Sequence, residues 1–261
     1  MSDYTKDYKD KVGLVTGSGS GIGRTMAIAF AAAGAKVLVA DVNATGGEET
    51  VSTIRAGGGD ARFVRADVTR PDEVEGMVAA AIADFGRLDF AVNNAGTELS
   101  TGPLAECSDE AFDQLVAVNV KGVFLCMKHE IRQMLKHGCG AIVNMGSVAS
   151  FRPQPTQSIY TATKHAVMGL TRNAAVEYGP AGIRINAICP GAIDTPLLHT
   201  ALDRFEEVLG VPREQIIAQL SLNNRIGQAE EIAKAALWLC SDDSSYTYGH
   251  ALAIDGGYLA R

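Results

Sequence analysis

Short apolar runs alternate along almost the whole chain with longer stretches in which apolar residues recur every three or four positions. The short runs are typical of buried strands and the recurring pattern is typical of helices. The runs are almost continuously apolar, as expected for a parallel sheet covered on both faces. We predict seven strands, at 12–16, 36–41, 62–65, 90–93, 141–145, 184–189 and 252–255.

The helical pattern fills the segments between these strands. Gly34 ends the first predicted helix, and Pro71 begins the third, where proline is favourable in a first turn. Strands alternating with helices imply crossover connections and a mainly parallel sheet. We therefore predict an α/β fold, one doubly wound domain over residues 1–261 with helices on both faces of a seven-stranded sheet. The predicted helices are 21–33, 44–56, 71–85, 109–137 (mostly helical), 158–178 and 230–240.

Residues 193–224 break this alternation. They follow the sixth predicted strand, so they lie above the carboxyl edge of the sheet, where ligands bind in such folds. Long excursions of this kind are commonly lids or binding loops. We predict a small helical lid over the ligand.

Composition excludes several other classes of protein. The 261 residues are 47% hydrophobic and 20% charged, enough for a substantial core. A net charge of −7 argues against nucleic acid as a partner. No apolar run approaches the ~20 residues that span a bilayer, and the first residues are polar, unlike a secretory signal. We predict a cytoplasmic protein that contacts neither nucleic acid nor membrane.

The cysteines show neither paired spacing nor clustered metal ligands. Reduced, mostly structural thiols are expected of scattered cysteines in a cytosolic protein. We therefore predict no metal site. The five cysteines are Cys107, Cys126, Cys139, Cys189 and Cys240.

A glycine-rich loop, Thr-Gly-Ser-Gly-Ser-Gly-Ile-Gly over residues 16–23, follows the first predicted strand and opens a helix. Glycines allow the tight turn and bring backbone amides close to a pyrophosphate at the helix N-terminus. A plain surface loop is the alternative, but the strand–loop–helix context favours a dinucleotide site. The predicted contacts are Gly17, Ser20, Gly21, Ile22 and Gly23.

Asp41 ends the second predicted strand. A carboxylate there can accept hydrogen bonds from ribose hydroxyls and would repel a 2′-phosphate. No basic residue occurs among Ser18, Gly19 and Ser20. We predict NAD rather than NADP as the cofactor. The alternative is that Asp41 only caps the following helix.

Tyr160 and Lys164 are four residues apart in a predicted helix, so they share one face. A tyrosine of ordinary pKa, ~10, is a poor base near neutral pH unless a nearby cation stabilises its anion. We expect Lys164 to lower the pKa of Tyr160. Together with the glycine loop, the pair indicates hydride chemistry on an alcohol or ketone.

Taken together, these motifs resemble those of the short-chain dehydrogenase/reductase family, over about residues 9–258 and in the order that the family has them. The resemblance implies a Rossmann fold and a nicotinamide cofactor. Residues 173–179 and 182–188 look like the branch of levodione-reductase-like and cyclohexanol-dehydrogenase-like enzymes, which act on cyclic and other secondary alcohols. Beyond the glycine loop, the matching positions are Asp67, Val68, Asn93, Asn94, Ala95, Gly96, Asn119, Ser147, Tyr160, Lys164, Pro190, Gly191 and Thr195.

The resemblance also implies a role for each matching position. Tyr160 is the general acid/base, Lys164 also holds the nicotinamide ribose, and Ser147 orients the substrate oxygen. Asn119 anchors a water chain that carries protons to solvent. Thr195 bonds the nicotinamide carboxamide, with the backbone of Ile193 nearby. Asp67 and Val68 contact the adenine, and the remaining cofactor contacts are Asn94, Ala95, Gly96, Pro190 and Gly191.

The substrate is expected to be a neutral secondary alcohol or ketone, because the predicted pocket is apolar with few fixed cations. Candidate pocket residues are Glu98, Phe151, Gln154 and Leu198. Two alternatives stay open: an NADPH-dependent 3-oxoacyl carrier-protein reductase, which Asp41 disfavours, and a non-catalytic nucleotide-sensing protein.

The segments 109–137 and 158–178 carry more apolar residues than a sheet-facing stripe requires. Such a surplus indicates a buried partner surface, and the family commonly pairs these helices across a two-fold axis. We predict a homotetramer; a monomer with apolar surface residues is the alternative. The residues behind this expectation include Val123, Phe124, Ala166, Val167 and Leu170.

Overall fold

A computed structural model describes residues 5–98 and 102–261 and contains one seven-stranded sheet. The strands are β1 Val12–Thr16, β2 Lys36–Asp41, β3 Asp60–Arg65, β4 Phe90–Asn93, β5 Gly140–Met145, β6 Ile183–Pro190 and β7 Ala251–Ile254. Their order is β3-β2-β1-β4-β5-β6-β7, and every neighbouring pair is parallel. The direction of winding reverses between β1 and β4, so the crevice at their carboxyl ends is where ligands bind in this architecture.

Ten α-helices are described, and the longer ones cover the two faces of the sheet. A π-helical turn, Ala117–Gly122, separates the fifth helix from the sixth. The helices are α1 Thr5–Tyr8, α2 Gly21–Ala32, α3 Ala44–Ala56, α4 Pro71–Phe85, α5 Asp109–Val116, α6 Val123–Met134, α7 Ser158–Tyr178, α8 Pro196–Leu209, α9 Arg213–Ala218 and α10 Ala229–Cys240.

Successive residues of β1 face opposite cores, as the two-residue period of a strand requires. Val15 packs in one core cluster with Phe30 of α2 and Leu239 of α10. Leu14 packs in the other with Met77 of α4 and with residues of α6 and α7. Both faces of the strand are therefore buried, which explains its continuous apolar run.

The predicted strands and their parallel arrangement are confirmed, and the bounds agree within about two residues. The segment 109–137 differs from the prediction, because the π-helical turn interrupts it and α6 ends at Met134. Gly122 lies against the strand β3–helix α4 connection, where a β-carbon would come within 2.8 Å of Val68 Cγ2. Residues 193–224 contain α8 and α9.

The apolar surplus of α6 and α7 is partly core. Val123 and Val167 are buried in the core, so they do not belong to the surface that the sequence suggested. Phe124 is 48% exposed and Val176, near the end of α7, is 78% exposed. Within residues 5–98 and 102–261, no helix has the length and apolar character needed to cross a membrane.

Candidate active site

Two connected cavities occupy the carboxyl edge of the sheet, with volumes of about 570 Å³ and about 510 Å³. Both are lined by Ile22, Asn94 and Thr195, so they form one crevice. We call the first the nucleotide cavity and the second the tyrosine cavity. Of the predicted residues, the nucleotide cavity is lined by Gly17, Ser20, Gly21, Ile22, Asp41, Asp67, Val68, Asn94, Ala95, Gly96 and Thr195. The tyrosine cavity is lined by Glu98, Ser147, Gln154, Tyr160, Lys164, Pro190, Gly191, Ile193, Thr195 and Leu198, among others.

The glycine loop is held against the end of β4. Gly17 has a φ of +63°, a backbone conformation that glycine adopts without strain. The Asn94 side-chain amide donates to the carbonyls of Thr16 and Gly17, both at 3.0 Å. At Gly23, a β-carbon would come within 2.1 Å of the Gly17 carbonyl oxygen. Gly23 therefore lies behind the loop and lets it close, rather than lining the cavity.

Asp41 lies beside this loop. Its carboxylate accepts the Gly19 N–H at 2.7 Å and the Asn43 N–H at 2.8 Å. The N-cap of α3 is Asn43, whose side-chain oxygen accepts the Gly46 N–H. The alternative that Asp41 only caps this helix is therefore wrong, and Asp41 lines the nucleotide cavity.

Arg24 is a contact that the sequence analysis missed. Its Nη2 donates to the carbonyls of Gly19 and Gly46, at 2.5 Å and 3.1 Å, and to the Glu49 carboxylate at 2.9 Å. Arg24 thus ties the glycine loop to the first turn of α3. A cation immediately after the last glycine of the motif is the sequence signal that could have indicated this contact.

Ser147, Tyr160 and Lys164 converge on the tyrosine cavity from β5's end and from α7. Lys164 Nζ is 5.5 Å from the centre of the Tyr160 ring and donates to the Met145 carbonyl at 2.9 Å. Ser147 Oγ accepts the Ala149 N–H at 3.1 Å, which fixes the hydroxyl at the start of a short helical turn. The predicted proximity of Tyr160 and Lys164 is therefore present.

The electrostatics of this pair differ from the expectation. Burial raises the pKa of Tyr160, the charge of Glu98 raises it further, and a hydrogen bond with Ser147 opposes the rise. Burial lowers the pKa of Lys164 to about 8. The helix spacing gives the proximity correctly, but the desolvation of both groups could not be read from it.

Asn119 lies in the π-helical turn and is 1% exposed. Its amide donates to the Thr97 carbonyl at 2.8 Å and to Thr163 Oγ1 at 3.3 Å, and its oxygen accepts the Thr97 N–H at 2.9 Å. It is not a lining residue of either cavity, but a β-carbon on Gly96 would lie 3.3 Å from Asn119 Oδ1 and 3.7 Å from Lys164 Nζ. Asn119 therefore anchors the segment after β4 close to Lys164.

Three of the four candidate substrate residues, Glu98, Gln154 and Leu198, line the tyrosine cavity. Phe151 does not, and it is 42% exposed on the surface. Glu98 accepts a hydrogen bond from Gln157, a buried side chain that the sequence analysis missed. Thr195 caps α8 by accepting the Leu198 N–H at 3.2 Å. In the described part of the chain, no three His, Cys, Asp or Glu side chains are placed to hold a metal ion.

Comparison with known proteins defines the class. Residues 17–259 match a family described as enoyl-(acyl carrier protein) reductase. The chain belongs to the short-chain dehydrogenase/reductase family, and its relatives include named dehydrogenases and reductases.

Three relatives cover nearly its whole length. A 2,5-dichloro-2,5-cyclohexadiene-1,4-diol dehydrogenase of Sphingobium indicum is 44% identical, over 97% of this chain and 99% of the relative. A levodione reductase of Leifsonia aquatica is 40% identical, over 99% of this chain and 98% of the relative, and a crystal structure of levodione reductase has a TM-score of 0.93, with 41% identity over 97% of this chain and 99% of the other. A structure of an actinorhodin polyketide ketoreductase variant with NADPH has a TM-score of 0.92, with 31% identity over 95% and 97% of the two chains.

Proposed function

We propose that this protein interconverts secondary alcohols and ketones on ring-shaped neutral molecules, with NAD as the hydride carrier. The observation that carries the proposal is the convergence of Ser147, Tyr160 and Lys164 on one cavity that continues into the nucleotide cavity. The relatives named for a cyclohexadiene diol and for levodione support a cyclic substrate. Apolar walls, with Leu202 and Ile216 among them, favour a neutral molecule.

Ser147, Tyr160 and Lys164 of the tyrosine cavity each have a separate role in the proposed reaction. A bound nicotinamide supplies the two-electron carrier and, when oxidised, a positive ring charge. Ser147 orients the substrate oxygen, and Tyr160 takes the hydroxyl proton in oxidation or donates it in reduction. Because the pKa of Lys164 is about 8, its ammonium persists at neutral pH and favours the tyrosine anion. Lys164 is itself oriented by the Met145 carbonyl.

The choice of NAD over NADP follows from the charges around the glycine loop. Asp41 presents a carboxylate to the nucleotide cavity, and it would repel a 2′-phosphate. Arg24, the nearby cation, is paired with Glu49 at 2.9 Å. We expect the ratio of kcat/KM with NAD to that with NADP to fall at least about tenfold in Asp41→Ala, since one repelled charge is worth over a kilocalorie per mole. Asp60→Ala, in a surface ion pair with Arg62, is the matched control.

A 3-oxoacyl carrier-protein reductase that uses NADPH is the second candidate. The structure of a ketoreductase with NADPH supports it. A wild-type protein that prefers NADPH and reduces a 3-oxoacyl thioester faster than any ring ketone would establish this candidate and reject the first.

The central test is Tyr160→Phe, which removes the hydroxyl and keeps the ring. We expect kcat for cyclohexanol oxidation to fall about 100- to 10,000-fold, the usual contribution of positioned proton transfer. Binding of NAD, followed by fluorescence, is expected to persist. Tyr246→Phe, at a side chain that is 100% exposed, is the control. Unchanged turnover in Tyr160→Phe would refute the mechanism.

We also propose that residues 193–224 act as a lid and that four chains assemble. Leu197, Leu198 and Leu202 of α8 line the tyrosine cavity, which supports a lid over the proposed substrate site. Exposed apolar side chains on the outer helices, Phe112, Phe124 and Val176, support a partner surface.

A further inference from the structure

A fully buried polar cluster lies under the crevice, between the ends of β4 and β5 and the helices α6 and α7. We call it the Glu130 cluster. It consists of Asn93, Glu130, Asn144 and Thr171, and each is at most 2% exposed. The Asn93 amide donates to Glu130 Oε2 at 3.0 Å and to Asn144 Oδ1 at 2.9 Å, and the Asn144 amide donates to Thr171 Oγ1 at 2.9 Å.

The cluster has one donor too few if Glu130 is ionised. Both amide hydrogens of Asn93 are used in the bonds to Glu130 and Asn144. Glu130 Oε1 and Asn93 Oδ1, two acceptors on one contacting pair, are then buried without a partner among the described residues. A buried acceptor without a partner is costly. A proton on the Glu130 carboxyl turns one of these acceptors into a donor and removes the mismatch.

The surroundings of Glu130 favour that proton. No described ion pair includes Glu130. The buried residues that α4 contributes to the core cluster it shares with α6 are all apolar: Val74, Met77, Val78 and Ala81. The one titratable group described as interacting with its charge is the Cys126 thiol on the same helix, whose pKa the charge of Glu130 raises. Burial raises the pKa of Glu130 to about 7, although the Asn93 hydrogen bond opposes the rise.

The cluster sits directly behind the site. Asn93 and Asn144 are register partners on β4 and β5. Asn93 precedes Asn94, whose side chain holds the carbonyls of Thr16 and Gly17. Asn144 precedes Met145, whose carbonyl accepts from Lys164. A shift at the cluster would therefore move the glycine loop and the lysine together.

We propose that Glu130 is a positioning residue that acts as a neutral hydrogen-bond donor to the Asn93 amide oxygen, and that this bond fixes the strand ends carrying Asn94 and Met145. The inference about its protonation stands on the cluster alone. Its effect on activity rests on the proposed nicotinamide-dependent function.

The test compares Glu130→Gln with Glu130→Met in the full chain. Glutamine keeps a donor and an acceptor, whereas methionine keeps neither. Glu130→Met is therefore expected to raise the Kd and KM for NAD about tenfold, and Glu130→Gln is expected to keep the wild-type values. Because an ionised Glu130 loses the donor, the KM of the wild type is expected to rise as the pH passes above 7, while that of Glu130→Gln stays flat. Equal Kd and KM values in Glu130→Met and wild type, or equal pH profiles of KM in Glu130→Gln and wild type, would overturn the positioning role.

Infrared spectroscopy tests the proton without any assay of activity. The difference between wild type and Glu130→Gln at about pH 6, below the pKa of about 7, is expected to contain the carbonyl band of a protonated carboxylic acid. The absence of this band would overturn the proposed protonation of Glu130, whatever the kinetics show. The measurement does not require the methionine variant to fold. Wild-type protein that shows the band but neither binds nor turns over nicotinamide would instead reject the proposed function.

Discussion

At the scale of single residues, the decisive feature is the balance of charges around Tyr160. Burial and Glu98 raise its pKa, and the Lys164 ammonium is fixed 5.5 Å from the ring centre by the Met145 carbonyl. A tyrosine with a raised pKa is almost wholly protonated near neutral pH, so a nearby positive charge is needed to increase the fraction of its anion. Glu98 is therefore a side chain whose charge can be removed to change this balance while Ser147, Tyr160 and Lys164 are kept.

Glu98→Gln is expected to shift the pH dependence of alcohol oxidation. Glu98 raises the pKa of Tyr160, so removing its charge lowers that pKa and increases the fraction of anion at a given pH. The rising limb of kcat/KM against pH should move to lower pH by roughly one pH unit.

Steady-state oxidation of cyclohexanol across the pH range measures this shift. Glu106→Gln, at an exposed carboxylate outside both cavities, is the matched control. Superimposable profiles of Glu98→Gln and wild type would show that Glu98 does not act on the proton-transferring group.

At the scale of elements, the close approach between β1, α2 and β4 depends on missing side chains. Gly23 shows this best, since a β-carbon there would lie 2.1 Å from Gly17 O and 2.5 Å from Asn94 Nδ2. Gly76, in the middle of α4, has nothing within 4 Å of the same point and is exposed. Close packing therefore requires a glycine at position 23, whereas no packing contact requires one at position 76.

We expect Gly23→Ala and Gly76→Ala to have opposite effects. Gly23→Ala forces backbone apart and is expected to cost about 1–3 kcal/mol of folding free energy, with a loss of NAD affinity of at least about tenfold. Gly76→Ala removes a flexible residue from a helix interior and is expected to stabilise by about 0.5–1 kcal/mol. Urea unfolding and NAD titration measure both, and equal unfolding midpoints would contradict the close-packing argument.

The elements that the sequence predicted correctly are those with clear local signals. The continuous apolar strands and the Pro71 start of α4 were readable from local chemistry. The π-helical turn at Ala117–Gly122 was not, because its sequence carries no proline and fits an uninterrupted helix. Its wider turn places Asn119 inward, against Thr97 and Thr163, contacts set by tertiary packing.

In the candidate site, too, the residues with a local sequence signal were predicted correctly and those without one were not. Residues tied to a local motif, such as Gly17 and Tyr160, lie at the crevice where the sequence placed them. Phe151, chosen only for its place in the chain, lies on the surface. Arg24 and Glu130 went unnoticed because their partners are distant in sequence: Arg24 bonds Gly46 and Glu49, and Glu130 bonds Asn93. Only the packed fold brings such pairs together.

At the scale of the whole molecule, the outer face of α7 is the strongest indication of assembly. Val176 is 78% exposed and Tyr248 is 44% exposed, and both line an open groove with Arg172, Ala175 and Gly179. Contiguous apolar surface of this kind commonly marks a protein–protein contact. The groove lies away from both cavities of the site, so assembly and chemistry can be perturbed separately.

Val176→Glu is expected to reduce the size of the particle in solution while leaving the fold intact. A carboxylate buried against an apolar partner surface without a counter-charge costs several kilocalories per mole, enough to disfavour the contact. Light scattering after size-exclusion chromatography should give four chains for the wild type and fewer for the variant. Ala79→Glu, which adds the same charge to the exposed face of α4, should stay tetrameric. A wild-type monomer would refute the assembly itself, whereas a tetrameric Val176→Glu would show that the contact lies on another face.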